Sequence, residues 1–339
     1  MRRIRWILVG LAGVMAASGL VGQEVATPVP LVVVPDRDRS ASIDDFLLQP
    51  LAPAATFEEQ VVEQVNVERQ NCPAGEGCPK PPLKHQTNLI QAAEEHSSSM
   101  AVNDYFSHLD FAASCIGVGT RMTNAGYTGW TAGGENIAGG QSTPATVMST
   151  WMGSPGHRAN ILSSSYREIG VGYIQQVGDQ PNVELDSNTN CQCADEPPTG
   201  ITQCPNACAF CALQHYWTQV FGTRGGASGY PVIIEREHFA TSTAIVDLYL
   251  YQPPGSGAEM RFANETGAFS ASEPFLANVL NWNLTAGDGL KAVVAEVTTT
   301  SGTFRTCDRI WLSGSGDTSF IFADGFECDG TASWSALGA

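Results

Sequence analysis

Four short segments in a set order constrain this chain more than any bulk property. Phe106-Ser107-His108 comes first, then Gly134-Glu135-Asn136-Ile137-Ala138, then the run from Trp151 to Leu162 that contains Ser154 and His157, and finally His215-Tyr216-Trp217-Thr218-Gln219-Val220. They spread His108, Glu135, His157 and His215 over separate stretches that one fold would have to gather into a cleft. Imidazole and carboxylate are the groups most often used to hold a divalent metal or to move a proton.

The chain has 339 residues, beyond one typical domain, so two domains and a linker are expected. A formal charge of −17 excludes nucleic acid as a partner, because phosphate binding needs a basic stripe, and it disfavours an anionic membrane surface. Arg2, Arg3 and Arg5 precede an apolar run from Ile7 to Val21 with small residues at its end, which reads as a cleaved signal peptide over 1–22. An uncleaved anchor is the alternative. No cysteine stands beside the cleavage region, and no later segment is long and apolar enough to span a bilayer. The expected location is secreted, either extracellular or periplasmic.

Ten cysteines in an exported chain point to disulfides. Cys72 and Cys78 bracket a Pro/Gly-rich loop that they could close locally. Cys191, Cys193, Cys204, Cys208 and Cys211 crowd one stretch, and Cys307 and Cys328 lie near the end. If those last two pair together, the crowded five cannot all pair among themselves, and Cys115 is the natural partner for one of them. Zinc on the crowded thiols is the competing reading, but the Cys191-Gln192-Cys193 spacing is too tight for a usual zinc knuckle.

After the signal, residues 23–56 are Pro-, Ala- and Val-rich and read as a linker without a core. Phe57, Val61, Val62 and Val65 recur at helical spacing through Arg69, with Val67 on or near the same face. Leu89, Ala92, Ala93, His96 and Met100 do the same over 87–102. His96 on that stripe reads as a hydrogen-bonded core histidine. Thr143-Pro144 and Ser154-Pro155 each pair a cap residue with proline at the first helical position, starting two more helices. Ile169 to Ile174 and Tyr216 to Phe221 alternate as strands, a hairpin interrupted by a cysteine-rich insertion over about 178–213. The segment 57–224 is thus an α/β unit. From 225 to 316, short β runs separated by Gly, Pro, Asn and Asp predict an antiparallel sandwich, followed by a tail over 317–339.

These segments resemble the CAP superfamily (cysteine-rich secretory protein, antigen 5, pathogenesis-related 1; the SCP domain) in its bacterial form. Val65-Asn66-Val67-Glu68-Arg69, Ala92-Ala93-Glu94-Glu95-His96 and Ile169-Gly170-Val171-Gly172 join the four segments above to carry the resemblance, which covers about half the chain. It implies an α-β-α sandwich, with a cleft of two histidines and two acidic residues. His108, Glu135 and His215 match three of those positions. Ser154 stands where eukaryotic members carry glutamate, and His157 follows one turn later. The C-terminal runs resemble an immunoglobulin-like domain, and Phe322-Ala323-Asp324-Gly325-Phe326-Glu327 resembles a tail motif of exported bacterial proteins.

Two readings of the cleft stay open at the level of sequence. His108 and His215, with Glu135 or His157 and water, would suit zinc; alternatively the same residues form a buried polar cluster that pins the surrounding loops. His157 would then reach back to the cap of its helix. Ser154 is read as that cap rather than as a nucleophile, since no GxSxG is present, and Tyr216 and Trp217 as packing. The expected role is non-catalytic extracellular binding of a ligand, lipid or protein, with a divalent cation such as zinc as the candidate cofactor. A metal-dependent hydrolase with Glu135 as general base, a lipid- or sterol-binding module with a groove lined by Pro144 to Met152, and an adhesion protein are the alternatives.

Overall fold

A computed structural model describes residues 54–111, 113, 115–180, 183–185, 212–226, 229–265 and 267–314. The expected signal, most of the linker, the tail, and Cys191, Cys193, Cys204, Cys208, Cys211 and Cys328 lie outside these residues. Thr56 opens α1 (Phe57–Asn71) with a capping box, its hydroxyl accepting from the Glu59 amide while Glu59 returns the bond. Val61, Val62 and Val65 are buried at helical spacing, whereas Val67 is 44% exposed and lies off that face. Cys72 and Cys78 close the following loop as a disulfide. Cys115 and Cys307 are each disulfide-bonded as well.

The central sheet has the order β1-β4-β6-β3, formed by β1 (Lys84–His85), β3 (Trp130–Gly139), β4 (Glu168–Gln175) and β6 (His215–Arg224). The expected hairpin is present, with β4 and β6 antiparallel from Glu168↔Gly222 to Gln175↔His215. On one face, α1, α4 (Pro144–Gly153) and α5 (Pro155–Ile161) pack through Val62, Trp151, Ile161, Ile169, Trp217 and Phe221. On the other, α2 (Thr87–Val102) and α3 (Val118–Asn124) pack through Leu89, Ala93, Met122 and Val220. This is the expected α-β-α order. The alternation Ile169-Gly170-Val171-Gly172 follows from it, because a Cβ on either glycine would collide with the backbone of α2 at Leu89–Ile90 or Ala93–Glu94. The α4 residues Val147, Met148 and Trp151 are buried in the core, as an inward-facing stripe requires, and do not line an open groove.

Neither α3 nor β3 follows from the pattern. Val118–Asn124 has no apolar stripe, and Trp130–Gly139 is rich in glycine and alanine; tertiary pairing decides both. A short parallel pair, β2 (Tyr105–Phe106) with β5 (Glu184–Leu185), completes the first domain.

The C-terminal region is all-β, in two sheets. One has the order β12-β9-β7 (Asn278–Asn283, Ile245–Leu250, Val232–Ile234). The other has the order β11-β10-β13-β14-β8 (Glu273–Pro274, Glu259–Asn264, Gly289–Thr299, Gly302–Leu312, Ala240–Thr241). They share one core of Leu248, Leu250, Phe262, Val293, Val297 and Ile310. The β13–β14 hairpin is longer than the runs 290–298 and 309–312 imply. It pairs without interruption from Gly289↔Leu312 to Thr299↔Gly302.

A polar joint ties this region to the first domain. The Lys84 ammonium lies 2.8 Å from Glu237 and 2.5 Å from Asp308, with all three largely buried. Burial alone would lower the Lys84 pKa; the two carboxylates outweigh it and raise it. Burial and the Asp308 charge push Glu237 upward against the pull of Lys84. Replacing Lys84 by Met leaves two buried carboxylates facing each other. Urea unfolding of Lys84→Met at pH 7 is expected to show a loss of about 3–5 kcal/mol; a loss under about 1 kcal/mol would mean the joint is solvated.

Candidate functional site

The Gly134-Glu135-Asn136 motif sits on β3, an edge of the central sheet, and each residue has a separate task. Gly134 leaves room for the Tyr166 ring, whose hydroxyl a Cβ there would strike. Asn136 binds α5 to the sheet. Its Nδ2 donates to the His157 carbonyl (3.1 Å) and to Gln219 Oε1 (3.0 Å). Asn160 Nδ2 donates in turn to Asn136 Oδ1 (2.9 Å) and to the Glu135 carbonyl (3.0 Å). Both asparagines are therefore spent on architecture.

Glu135 points to the α2/α3 face, with its side chain only 3% exposed. Oε2 accepts a short hydrogen bond from Arg121 Nη2, and Oε1 accepts from His108 Nδ1 at 2.8 Å. An ionised carboxylate can only accept, so His108 donates from Nδ1, and its Nε2 takes no part in this bond. Arg121 Nη1 also donates to the carbonyls of His108 (3.1 Å) and Ile116 (2.9 Å), clamping the loop that carries His108. Burial by itself would raise the Glu135 pKa. Arg121, with His96 and His108, overcomes it and holds the carboxyl at about 2.

His96 is the buried core histidine the pattern implies, with Nε2 2.9 Å from the Ser107 carbonyl. His157, on α5, is 7% exposed. Burial first, and then His108, lowers its pKa to about 4. Two expectations for this helix change. Ser154 occupies the cap position but its side chain makes no capping hydrogen bond. His157 Nδ1 is buried without a partner, so it does not reach back to that cap.

His215 does not join the cleft. Glu135 pairs with Val220, and His215 lies five residues earlier on the same strand, about 17 Å along it. Alternation also turns it to the opposite face, with Trp217 and Gln219. There it stacks on Tyr173 (6.0 Å between centroids) and meets the Tyr173 hydroxyl at 2.8 Å. Tyr216 is the residue on the face of Glu135, and its hydroxyl donates to Asp179 Oδ2 at 2.9 Å. Arg121 is the cleft residue that sequence reasoning missed. A charged residue inside the Gly117–Gly126 stretch offers no periodic signal.

The donor set does not fit a metal ion. One Glu135 oxygen is held by a guanidinium, the other and His108 Nδ1 are spent on each other, and His215 is remote. Among the described residues, no group of three or more His, Cys, Asp or Glu side chains could hold one.

The geometry thus defines a three-layer α-β-α domain with a buried Arg–Glu–His cluster at a sheet edge. Residues 62–182 match the sequence profile of the cysteine-rich secretory protein family, and this stretch is a CAP (SCP) domain. The uncharacterized protein YkwD of Bacillus subtilis is 36% identical over 121 residues, 36% of this chain and 44% of that protein. The uncharacterized membrane protein YlbC of the same organism is 31% identical over 117 residues, 34% of this chain and 31% of its own length. The chain thus spans less than half the length of the curated relatives it matches. Among solved structures, an extracellular protein containing an SCP domain from Bacillus anthracis aligns at 22% identity and a TM-score of 0.33, over 50% of this chain and 40% of that one. An outer surface protein of Borrelia burgdorferi aligns at 14% identity and a TM-score of 0.35, over 52% of this chain and all of its own.

The cluster carries its own pH signature. Glu135 is depressed from 4.5 to about 2, so its contribution is complete above pH 4.5 and lost as pH falls toward 2. Its size is on the order of 3 kcal/mol. The buried neutral His96 and His157, both lowered to about 4, act in a higher window: their contribution is complete above pH 6.5 and lost on descent to 4. In urea unfolding as a function of pH, the stability gap between the wild type and Glu135→Gln is expected to narrow below pH 4.5 and to stay constant between 6.5 and 5. A gap independent of pH would show that Glu135 is not ionised in a pair.

Proposed function

We propose that this is an exported, non-catalytic binding protein, in which the CAP domain presents His108 Nε2 as a fixed hydrogen-bonding point for an extracellular ligand. The carrying observation is the Arg121–Glu135–His108 chain. Its carboxylate is charge-compensated and fully used, while His108, 35% exposed, is held in a fixed orientation by its Nδ1 bond. A preorganised hydrogen-bonding group of this kind loses little entropy when it meets a ligand. Export is supported by the N-terminal Arg-then-apolar sequence and by the Cys72–Cys78 disulfide. No described helix is long and apolar enough to cross a membrane. The two-sheet C-terminal region is read as an immunoglobulin-like sandwich held against the CAP domain.

A second reading draws on the same lock. A histidine oriented by a buried carboxylate is also the arrangement of a general base, here without a metal. Two measurements separate the readings. Zinc titration of metal-free, disulfide-intact protein by calorimetry, beside His108→Ala and Glu135→Gln, is expected to show no saturable one-to-one site lost in both variants; such a site would overturn the metal-free cleft. Turnover of ester or peptide substrates that vanishes in His108→Gln would replace the binding reading with a hydrolase.

A further inference from the structure

Sheet edges present unpaired backbone N–H and C=O groups, and folded chains ordinarily blunt them with prolines, charges, bulges or covering groups. Among the described residues, most edges here are blunted or very short. On β3 the carbonyls of Gly133, Glu135 and Ile137 accept from the Tyr166 hydroxyl (3.3 Å), Asn160 Nδ2 (3.0 Å) and Trp151 Nε1 (3.1 Å). On β7 the amides of Val232 and Ile234 donate to Thr306 Oγ1 (3.4 Å) and Asp308 Oδ2 (2.6 Å). β1, β8 and β11 are two residues each, and β11 carries Pro274.

β12 is the exception. It spans six residues, bounds its sheet and pairs with β9. The Leu250 amide donates to the Ala277 carbonyl (2.8 Å), and Val279 stands opposite Leu248. Alternation in an antiparallel ladder therefore turns the N–H and C=O of Asn278 and Leu280 away from β9, toward the outer edge. From Leu276 to Asn283 the sequence is Leu-Ala-Asn-Val-Leu-Asn-Trp-Asn, without charge and without proline. Leu276 and Leu280 are 57% and 65% exposed. The register shifts between Val279 and Trp282, and the Asn281 amide turns to Asp247 Oδ1 (3.0 Å), so the regular edge ends at Leu280.

Charge and register together select what fits this edge. A chain of formal charge −17 repels its own copies, and here two of them can meet along uncharged side chains. The edge is also self-complementary. A second copy, antiparallel and related by a two-fold axis at Val279, sets Asn278 opposite Leu280 of that copy and the reverse, each pair exchanging two backbone hydrogen bonds. Leu280 then lies diagonal to Leu276 and Leu280 of the second copy, on one face of the joined sheet. We propose that β12 is the edge through which two copies of this chain pair, merging their three-stranded sheets into one. The pairing is independent of the His108 cleft and of any role given to it.

The test is sedimentation equilibrium of the full chain with its disulfides intact, over a range of concentration and salt, beside amide hydrogen exchange. The mean mass is expected to rise with concentration toward twice that of one chain, and more steeply at high salt, which screens the repulsion. The Asn278 and Leu280 amides should exchange freely in the dilute monomer and slow as copies associate. Leu280→Lys places a charge on the edge and should weaken association by about tenfold or more. Asn278→Pro removes an outward N–H while sparing the β9 ladder, and should act alike. If it fails to fold, Leu280→Lys decides alone. Leu290→Lys, at a residue 43% exposed on the other sheet, should leave association unchanged. A monomer at every concentration and salt, or a dimer that survives Leu280→Lys, would overturn the proposal. Protection of both amides already in the monomer would overturn it too, since another part of the same chain would then hold the edge.

Discussion

Burying the Glu135 carboxylate is the constraint around which the first domain is arranged. A lone carboxylate at 3% exposure would be protonated or expelled. Here Arg121 comes from a seven-residue helix that has little apolar patterning of its own, and the same guanidinium holds the loop on which His108 rides. The pair thus ties α3, the carbonyls of His108 and Ile116, and the edge of β3 together. The chemistry of the cleft therefore follows from a structural requirement: once Arg121 and His108 satisfy the carboxylate, nothing remains of it to bind a cation.

The joint between the domains shows a comparable exchange of local strain for contact. Glu235, Arg236 and Glu237 all have positive φ (44°, 58° and 65°), which costs roughly 1–2 kcal/mol per residue for side chains of this kind. The turn aims two of them across the joint. Arg236 receives Asn66 on its carbonyl at 2.8 Å and donates to the Lys80 carbonyl at 3.0 Å. Glu237 meets Lys84, and just beyond the turn the Phe239 amide donates to Glu63 at 2.6 Å. Tyr251 from the β region donates to the Pro82 carbonyl at 2.8 Å, and Arg167 lies over Tyr230 and Tyr251. These contacts make the two regions one body, a relation that a linker-like change of composition near residue 225 does not announce.

Much of the scaffold was legible in advance, for identifiable reasons. α1, α2, α4 and α5 carry apolar periodicity or a cap followed by proline, and their observed bounds depart from the expected ones by at most two residues. β4 and β6 alternate, and their pairing was expected from that alone. β3 was not legible, since Ala132-Gly133-Gly134 has no strand propensity and is held by β6. The second half of the β13–β14 hairpin, Gly302 to Asp308, was missed because Thr, Arg and Asp there face partners such as Glu296 and Lys84, not an apolar layer.

For the site, the sequence by itself determined which residue types were present, in what order, and that the Gly134-Glu135-Asn136 and Trp151–Leu162 segments belonged together. It determined this because short motifs encode local tasks: a close approach, a cap, a side chain that bonds a neighbouring carbonyl. Only the tertiary structure decided which of the charged groups meet. The β3–β6 register set Glu135 opposite Val220, and a period of two then carried His215 to the other face and Tyr216 to this one. Packing of α3 brought Arg121 to the carboxylate. Pairing across a sheet and contact between helices are relations among distant segments, and a linear pattern holds no record of them until the chain is folded.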